Sequence, residues 1–204
     1  MARPAHPTRR EDILAAARVE FGAKGYSAAR MEDIGRRAGV SKAAVYLQFA
    51  SKEAIFHALV RELVETMLPD DLPQEFGDVP APVLLAGFVT RAFDLCAQQD
   101  VAFLPRLVLG EGQKFPELVR FYHDEGILRL LGVVEAIIRH GIARGEFACD
   151  SPVDACRSIA GGLVLTALWR ITFEPVGAEP VDVARAARTH VDILLNGLMA
   201  RKDD

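Results

Sequence analysis

Apolar positions recur every three to four residues along almost the whole chain, the spacing of helices that keep one side in a core. Ile13, Ala17 and Phe21 fall four apart on one face of a first helix. Ahead of them, Thr8-Arg9-Arg10-Glu11 reads as a capping box, in which the Thr8 hydroxyl bonds the Glu11 amide and Glu11 reaches back. Gly25 closes this helix, because glycine takes the left-handed conformation at least cost. A second, short helix runs from about Arg30 to Ala38 with Met31, Ile34 and Ala38 inward, and Gly39 breaks it. Ser41 caps a third helix with Val45 and Phe49 inward. Ser51 caps a fourth, and Glu53 sits in its first turn, where the helix dipole favours negative charge.

Pro69 to Pro82 holds four prolines and four acids and is predicted to be a loop. Beyond it the pattern predicts helices over 82–98, 101–112, 115–145, 153–173 and 180–201. Pro116 suits the first turn of one and Gly145 its end, while Pro152 and Pro180 open the last two. No strand-like alternation, internal repeat or low-complexity tract stands out. The expected architecture is all-α: a three-helix helix-turn-helix head over 1–52, followed by a helical-bundle body over 53–204.

Charge sharpens that division. The net charge of the 204 residues is -4, but residues 1–52 carry +5 and residues 53–204 carry -9. A basic head on an acidic body is the layout expected when only the head meets a polyanion. The longest apolar run, Ile159 to Trp169, falls short of the ~20 residues of a membrane helix. The N-terminus has no apolar segment of a secretory signal. Cys96, Cys149 and Cys156 are three and scattered, which argues against a disulfide framework and for a reducing cytoplasm. Each reads as a small buried hydrophobe, with a redox-sensing thiol as the alternative.

The turn through Gly39, Val40 and Ser41 joins helices two and three in a helix-turn-helix layout, whose second helix lies in the major groove of DNA. With Val45 and Phe49 inward, Lys42, Ala43 and Tyr46 take the exposed side. Ala43 and Ala44 are small enough for close backbone approach, and their methyls can touch a thymine methyl. Lys42 can donate to guanine O6 or N7, or to a phosphate. The Tyr46 hydroxyl suits a backbone phosphate. Lys52, beside the free amides that open helix four, can hold another. The plainer alternative is that both lysines are solvated and Tyr46 is a half-buried packing residue.

Ile13-Leu14-Ala15-Ala16-Ala17, Phe21, Lys24-Gly25-Tyr26, Asp33-Ile34, Ala38-Gly39-Val40-Ser41-Lys42, Tyr46, Phe49 and Ser51-Lys52-Glu53 keep one spacing throughout. Over residues 8–60 the chain resembles the TetR family of bacterial transcriptional regulators. The resemblance implies that Lys42, Ala43, Ala44 and Tyr46 face the bases and that Gln48 and Lys52 meet phosphates, with Ser41 counted among the DNA-binding residues. It also exposes departures. Ala29 stands where a capping threonine is common, so Ser27 is expected to cap one turn early and Arg30 to reach a phosphate. Ala43 replaces a frequent glycine, and Gln48 a frequent aromatic or histidine. Gly35 replaces a common alanine, at a helix cost of ~1 kcal/mol.

For the body the resemblance implies a small-molecule effector and a dimer. Gly110-Glu111-Gly112-Gln113-Lys114-Phe115-Pro116-Glu117-Leu118 and Gly145-Glu146-Phe147 look like a common form of that body. Candidate effector-binding residues are Phe88, Arg91, Leu95, Phe103, Leu107, Glu111, Tyr122, Thr166 and Trp169, a mostly apolar set with a few polar groups. The competing reading places the apolar ones in the core. The stripe Val183, Ala187, Val191, Leu194 and Leu198, with Gly161-Gly162 and Ala167 allowing close approach, is read as adhesive, and the homodimer is expected through the last two helices. No HExxH, CxxC, Walker loop or GxSxG occurs, and the five histidines share no metal spacing, so the sequence supports neither an enzyme nor a metal or cofactor site. The reading that emerges is a cytoplasmic, ligand-responsive regulator, a repressor leaving a pseudo-palindromic operator when an apolar or amphipathic molecule binds.

Overall fold

The structure, a computed structural model, describes residues 9–68 and 76–199, with the side chains of 9, 96, 97 and 99–101 excepted. The Thr8 capping box, the Cys96 thiol and residues 69–75 of the expected loop lie outside the described residues. The elements are α1 (Arg9–Ala28), α2 (Met31–Arg37), α3 (Lys42–Gln48), α4 (Lys52–Met67), α5 (Ala81–Ala97), α6 (Gln99–Glu111) and α7 (Pro116–Phe121). A π-helical turn (Tyr122–Ile127), α8 (Leu128–Ala143), α9 (Pro152–Thr172), a 3-10 turn (Glu174–Val176) and α10 (Val183–Leu198) complete the chain. Among the described residues, extended pairing is confined to one bridge between Phe147 and Met199. The all-α expectation holds. The single helix expected over 115–145 is instead two helices flanking the π-helical turn.

Two compact units form, Met1–Leu63 with Phe103–Gly126, and Val64–Ala102 with Ile127–Asp204. In the first, Ile13, Ala17, Phe21, Ile34, Val45, Phe49, Ile55, Phe56, Phe103 and Leu118 share one core. Gly25 breaks α1 at φ 76 and ψ 174, so the chain turns there before Tyr26 enters the core. Gly39, at φ 67, turns the chain between α2 and α3, and Val40 N–H closes on the Gly35 carbonyl at 2.9 Å. Gly35 earns its place by closeness: a Cβ there would stand 3.0 Å from Val45 Cγ2 and 3.2 Å from the Val40 carbonyl. Ser27 does not cap α2, contrary to expectation. Arg30 holds the N-cap position without a side-chain bond, while buried Ala29 packs in the core.

The second unit centres on Leu85, Val89, Phe93, Val134, Ile137, Ile138, Ile159 and Ala187. Its joints rest on close approaches and a cap. A Cβ on Gly141 would lie 2.3 Å from the Phe147 ring. Glu146 accepts the Ala81 amide at 2.7 Å, which satisfies the start of α5. Cys156 is buried, and burial pushes its thiol up to about 11, so it packs as an apolar side chain. Cys149 is a free thiol.

The α10 stripe read as adhesive packs inward within this unit. Ala187 and Leu198 are buried, and Val183, Val191 and Leu194 pack against the same core. Among the large apolar side chains left exposed in this unit, Leu165 and Trp169 of α9 and Phe173 at its C-cap follow one another four apart, and Ile193 of α10 is exposed as well. Gly162 faces inward too. The His190 ring lies against it and meets the Ile159 carbonyl at 3.1 Å, and a Cβ on Gly162 would stand 2.5 Å from that ring. Gly162→Ala is therefore expected to lower unfolding free energy by roughly 1–3 kcal/mol in a urea titration, the usual cost of overpacking. Gly161→Ala, with open space around it in the same helix, is expected instead to raise stability by up to ~1 kcal/mol, the helix propensity that glycine gives up.

Candidate nucleic-acid interface

The interface grows from the anchoring of α3. Ser41 Oγ accepts the Ala44 amide at 3.2 Å and sets where the helix begins. Val45 is fully buried and Phe49 nearly so, which fixes the inner side. Lys42, Ala43, Tyr46, Leu47 and Gln48 are exposed, and Ala44 is half-buried. The structure thus brings the sequence candidates on α3 onto one short surface, with Ser41 at its edge. Arg30 is exposed at the start of α2. Leu47 was missed by sequence reasoning, although counting helical turns from Val45 puts it outward.

Lys42 is exposed but not idle. Its ammonium bonds Glu32 of α2, which holds the lysine proton more tightly than usual, and it lies 5.8 Å from the Tyr46 ring centroid. A second ionic group braces α1 against α2. Buried Glu20 accepts from Arg37 at 2.8 Å and meets Lys24 at 2.7 Å, and Lys24 also meets Asp33 at 3.0 Å. The bonds from Lys24 and then Arg37 hold the Glu20 carboxyl below its ordinary value.

Lys52, expected at a phosphate, is engaged within the protein. Its ammonium turns inward, donating to the Tyr26, Ser27 and Ala29 carbonyls, and sits 4.4 Å from the Tyr26 ring centroid. All three of its donors are spent on the α1–α2 turn. Partial burial pulls its pKa down. Ser51 does cap α4, its Oγ accepting the Ala54 amide at 3.1 Å.

The same turn is gripped from α6. Glu111 accepts the Tyr26 amide at 2.7 Å and the Ser27 amide at 2.9 Å, and Arg106 donates to the Gly22 carbonyl. Glu111, a candidate for orienting an effector, is committed to this turn instead. Phe103 and Leu107 are buried in the first core, and Tyr122 packs against it. In the second unit Leu95 is buried, Phe88 packs against the core and Arg91 donates to the Thr66 carbonyl at 2.5 Å. Thr166 and Trp169 come together in a groove of about 560 Å³, which they share with Phe93, Leu165, His190 and Ile193.

A short outward helix held by a tight turn on a second helix, with cationic and aromatic groups on its surface, defines a DNA-binding transcriptional regulator. The chain belongs to the TetR family of bacterial regulatory proteins, whose family model matches residues 13–59; residues 84–197 match the C-terminal domain of AefR-like transcriptional repressors. It is 24% identical to the fatty acid metabolism regulator protein of Bacillus subtilis (strain 168), covering 91% of this chain and 93% of that one. Its fold resembles the fatty acid degradation regulator FadR of Bacillus halodurans, with a TM-score of 0.78 and 23% identity over 98% of this chain and 100% of that one. It also resembles the transcriptional regulator FadR of Bacillus subtilis in complex with stearoyl-CoA, with a TM-score of 0.67 and 24% identity over 92% and 98%. Regulators of this family bind DNA operators and small-molecule effectors, and act as dimers.

Lys52→Ala separates bracing from phosphate contact. It is expected to cost roughly 1.5–3 kcal/mol in denaturant unfolding, because three carbonyls lose a charged donor. The salt dependence of DNA binding keeps its slope; a slope shallower by about one would return Lys52 to the phosphates.

Proposed function

We propose that this regulator is a cytoplasmic homodimeric repressor whose α3 helices enter successive major grooves of a pseudo-palindromic operator, and that an apolar or amphipathic small molecule releases it. The observation that carries the reading is the outward face of α3, whose inner residues are anchored while Lys42, Ala43, Tyr46 and Gln48 are left to solvent. Half-site centres then fall ~34–36 Å apart or at a multiple. The head that reads DNA is residues 1–52, and 53–204 form the body. The stearoyl-CoA bound to the similar fold from Bacillus subtilis supports long-chain acyl thioesters as the first effector class to try.

The dimer face we assign is the outward side of α9 and α10, Leu165, Trp169, Phe173 and Ile193, in place of the inward α10 stripe. This takes Thr166 and Trp169 out of the effector set, since their groove opens beside these residues. By length and composition α9 reaches the apolarity of a membrane span, with a mean hydropathy of 1.2 over eighteen residues. In a dimer the partner covers that side. Effector control runs through α6: Glu111 and Arg106 tie its second half to the α1–α2 turn, so a conformer that shifts α6 shifts the base on which α2 and α3 rest.

Fluorescence anisotropy on an operator fragment tests the reading. Wild-type affinity should fall steeply with salt, and Lys42→Ala with Tyr46→Ala should weaken it at least ~10-fold in a folded protein. Stearoyl-CoA in the same titration should raise the apparent Kd. Salt-independent binding, or a double variant that binds like the wild type, sinks the proposal. Leu165→Asp with Ile193→Asp should sediment as a monomer with helix content intact and lose operator affinity; a persisting dimer puts the interface elsewhere.

A further inference from the structure

Leu47 is 84% exposed, the most exposed large apolar side chain among the described residues. Its place on α3 makes that exposure informative. At ~100° per residue, Leu47 points roughly 160° away from Val45, which is fully buried. The leucine therefore stands at the outer crest of the helix. Ala43, also exposed, precedes it by one turn on the same side, so the two methyl-bearing residues form a narrow apolar strip. Lys42 and Tyr46 flank the strip on one side and Gln48 on the other.

The major-groove edge of duplex DNA offers hydrogen-bonding groups at every base pair but only one apolar group, the C5 methyl of thymine. A leucine at the crest gains by covering that methyl. Opposite any other base it strips water from donors and acceptors and returns no hydrogen bond. We propose that Leu47 is a specificity-determining residue that selects thymine through its C5 methyl, with Ala43 extending the contact. This rests on the assignment of α3 as the DNA-reading helix and adds to it the chemistry of the base that is read.

The test uses a duplex selected by the wild-type dimer from a random pool. Each thymine in the selected half-sites is replaced in turn by deoxyuridine, which keeps the hydrogen-bonding edge and removes only the methyl. At one symmetry-related position the replacement is expected to weaken wild-type binding roughly 3–10-fold. Leu47→Ala should weaken binding to the thymine duplex by a similar factor and be indifferent to the replacement. Leu47→Met should stay sensitive to it. Because the side chain is exposed, the melting temperature of Leu47→Ala should match the wild type, which keeps the comparison between native proteins. Wild-type binding that ignores deoxyuridine at every position overturns the proposal while leaving DNA binding by α3 standing. So does a Leu47→Ala loss of equal size on both duplexes. If no duplex is selected and binding shows no salt dependence, the DNA assignment of α3 falls, and Leu47 with it.

Discussion

Everything this regulator does with its head depends on holding a seven-residue helix in place. A peptide of that length does not stay helical in water, because nucleation costs more than two turns return. What holds α3 is the insertion of Val45 between Gly35 of α2 and the surrounding core, a close approach in which a Cβ on Gly35 would stand only 3.0 Å from Val45 Cγ2. The Ser41 cap sets the register, and Val45 sets the rotation. With both fixed, the residues that face outward follow from helix geometry alone.

Charge inside the head is used for bracing as much as for display. Lys52, Glu111 and Arg106 converge on the short stretch from Gly22 to Ala29, where the break at Gly25 leaves backbone amides and carbonyls without helical partners. Their hydrogen bonds satisfy groups that would otherwise be costly to desolvate. A Cβ on Gly25 would collide with the Glu111 carboxylate, so the left-handed turn and the acceptor are fitted to each other. The positive charge of residues 1–52 is thus partly inward, and the share left to meet DNA is smaller than the count of lysines and arginines implies.

The helices were legible because their signals are local. Ser41 and Ser51 cap where expected, Gly25 and Gly39 turn the chain, and apolar spacing marked the buried faces of α1 to α3. What was not legible depends on which neighbour a side chain finds. A lysine at the mouth of a helix reads as a phosphate ligand until three carbonyls are seen around it. The α10 stripe is apolar whether it meets its own subunit or another, and only the packing against α5 and α9 decides. Leu47 differs from these: its outward position follows from the helical wheel alone, two residues from buried Val45.

Glu32, held against Lys42, gives the exposed face of α3 a counter-ion of its own. The carboxylate occupies the ammonium as a resident rival to any incoming phosphate or base. In the proposed docking of α3, Lys42 exchanges this partner for an acceptor on the duplex and leaves the Glu32 charge beside a polyanion. Because both partners are largely solvated, the cost of that exchange is modest. A counter-ion carried on the protein itself thereby sets the standard that any acceptor on the duplex has to match.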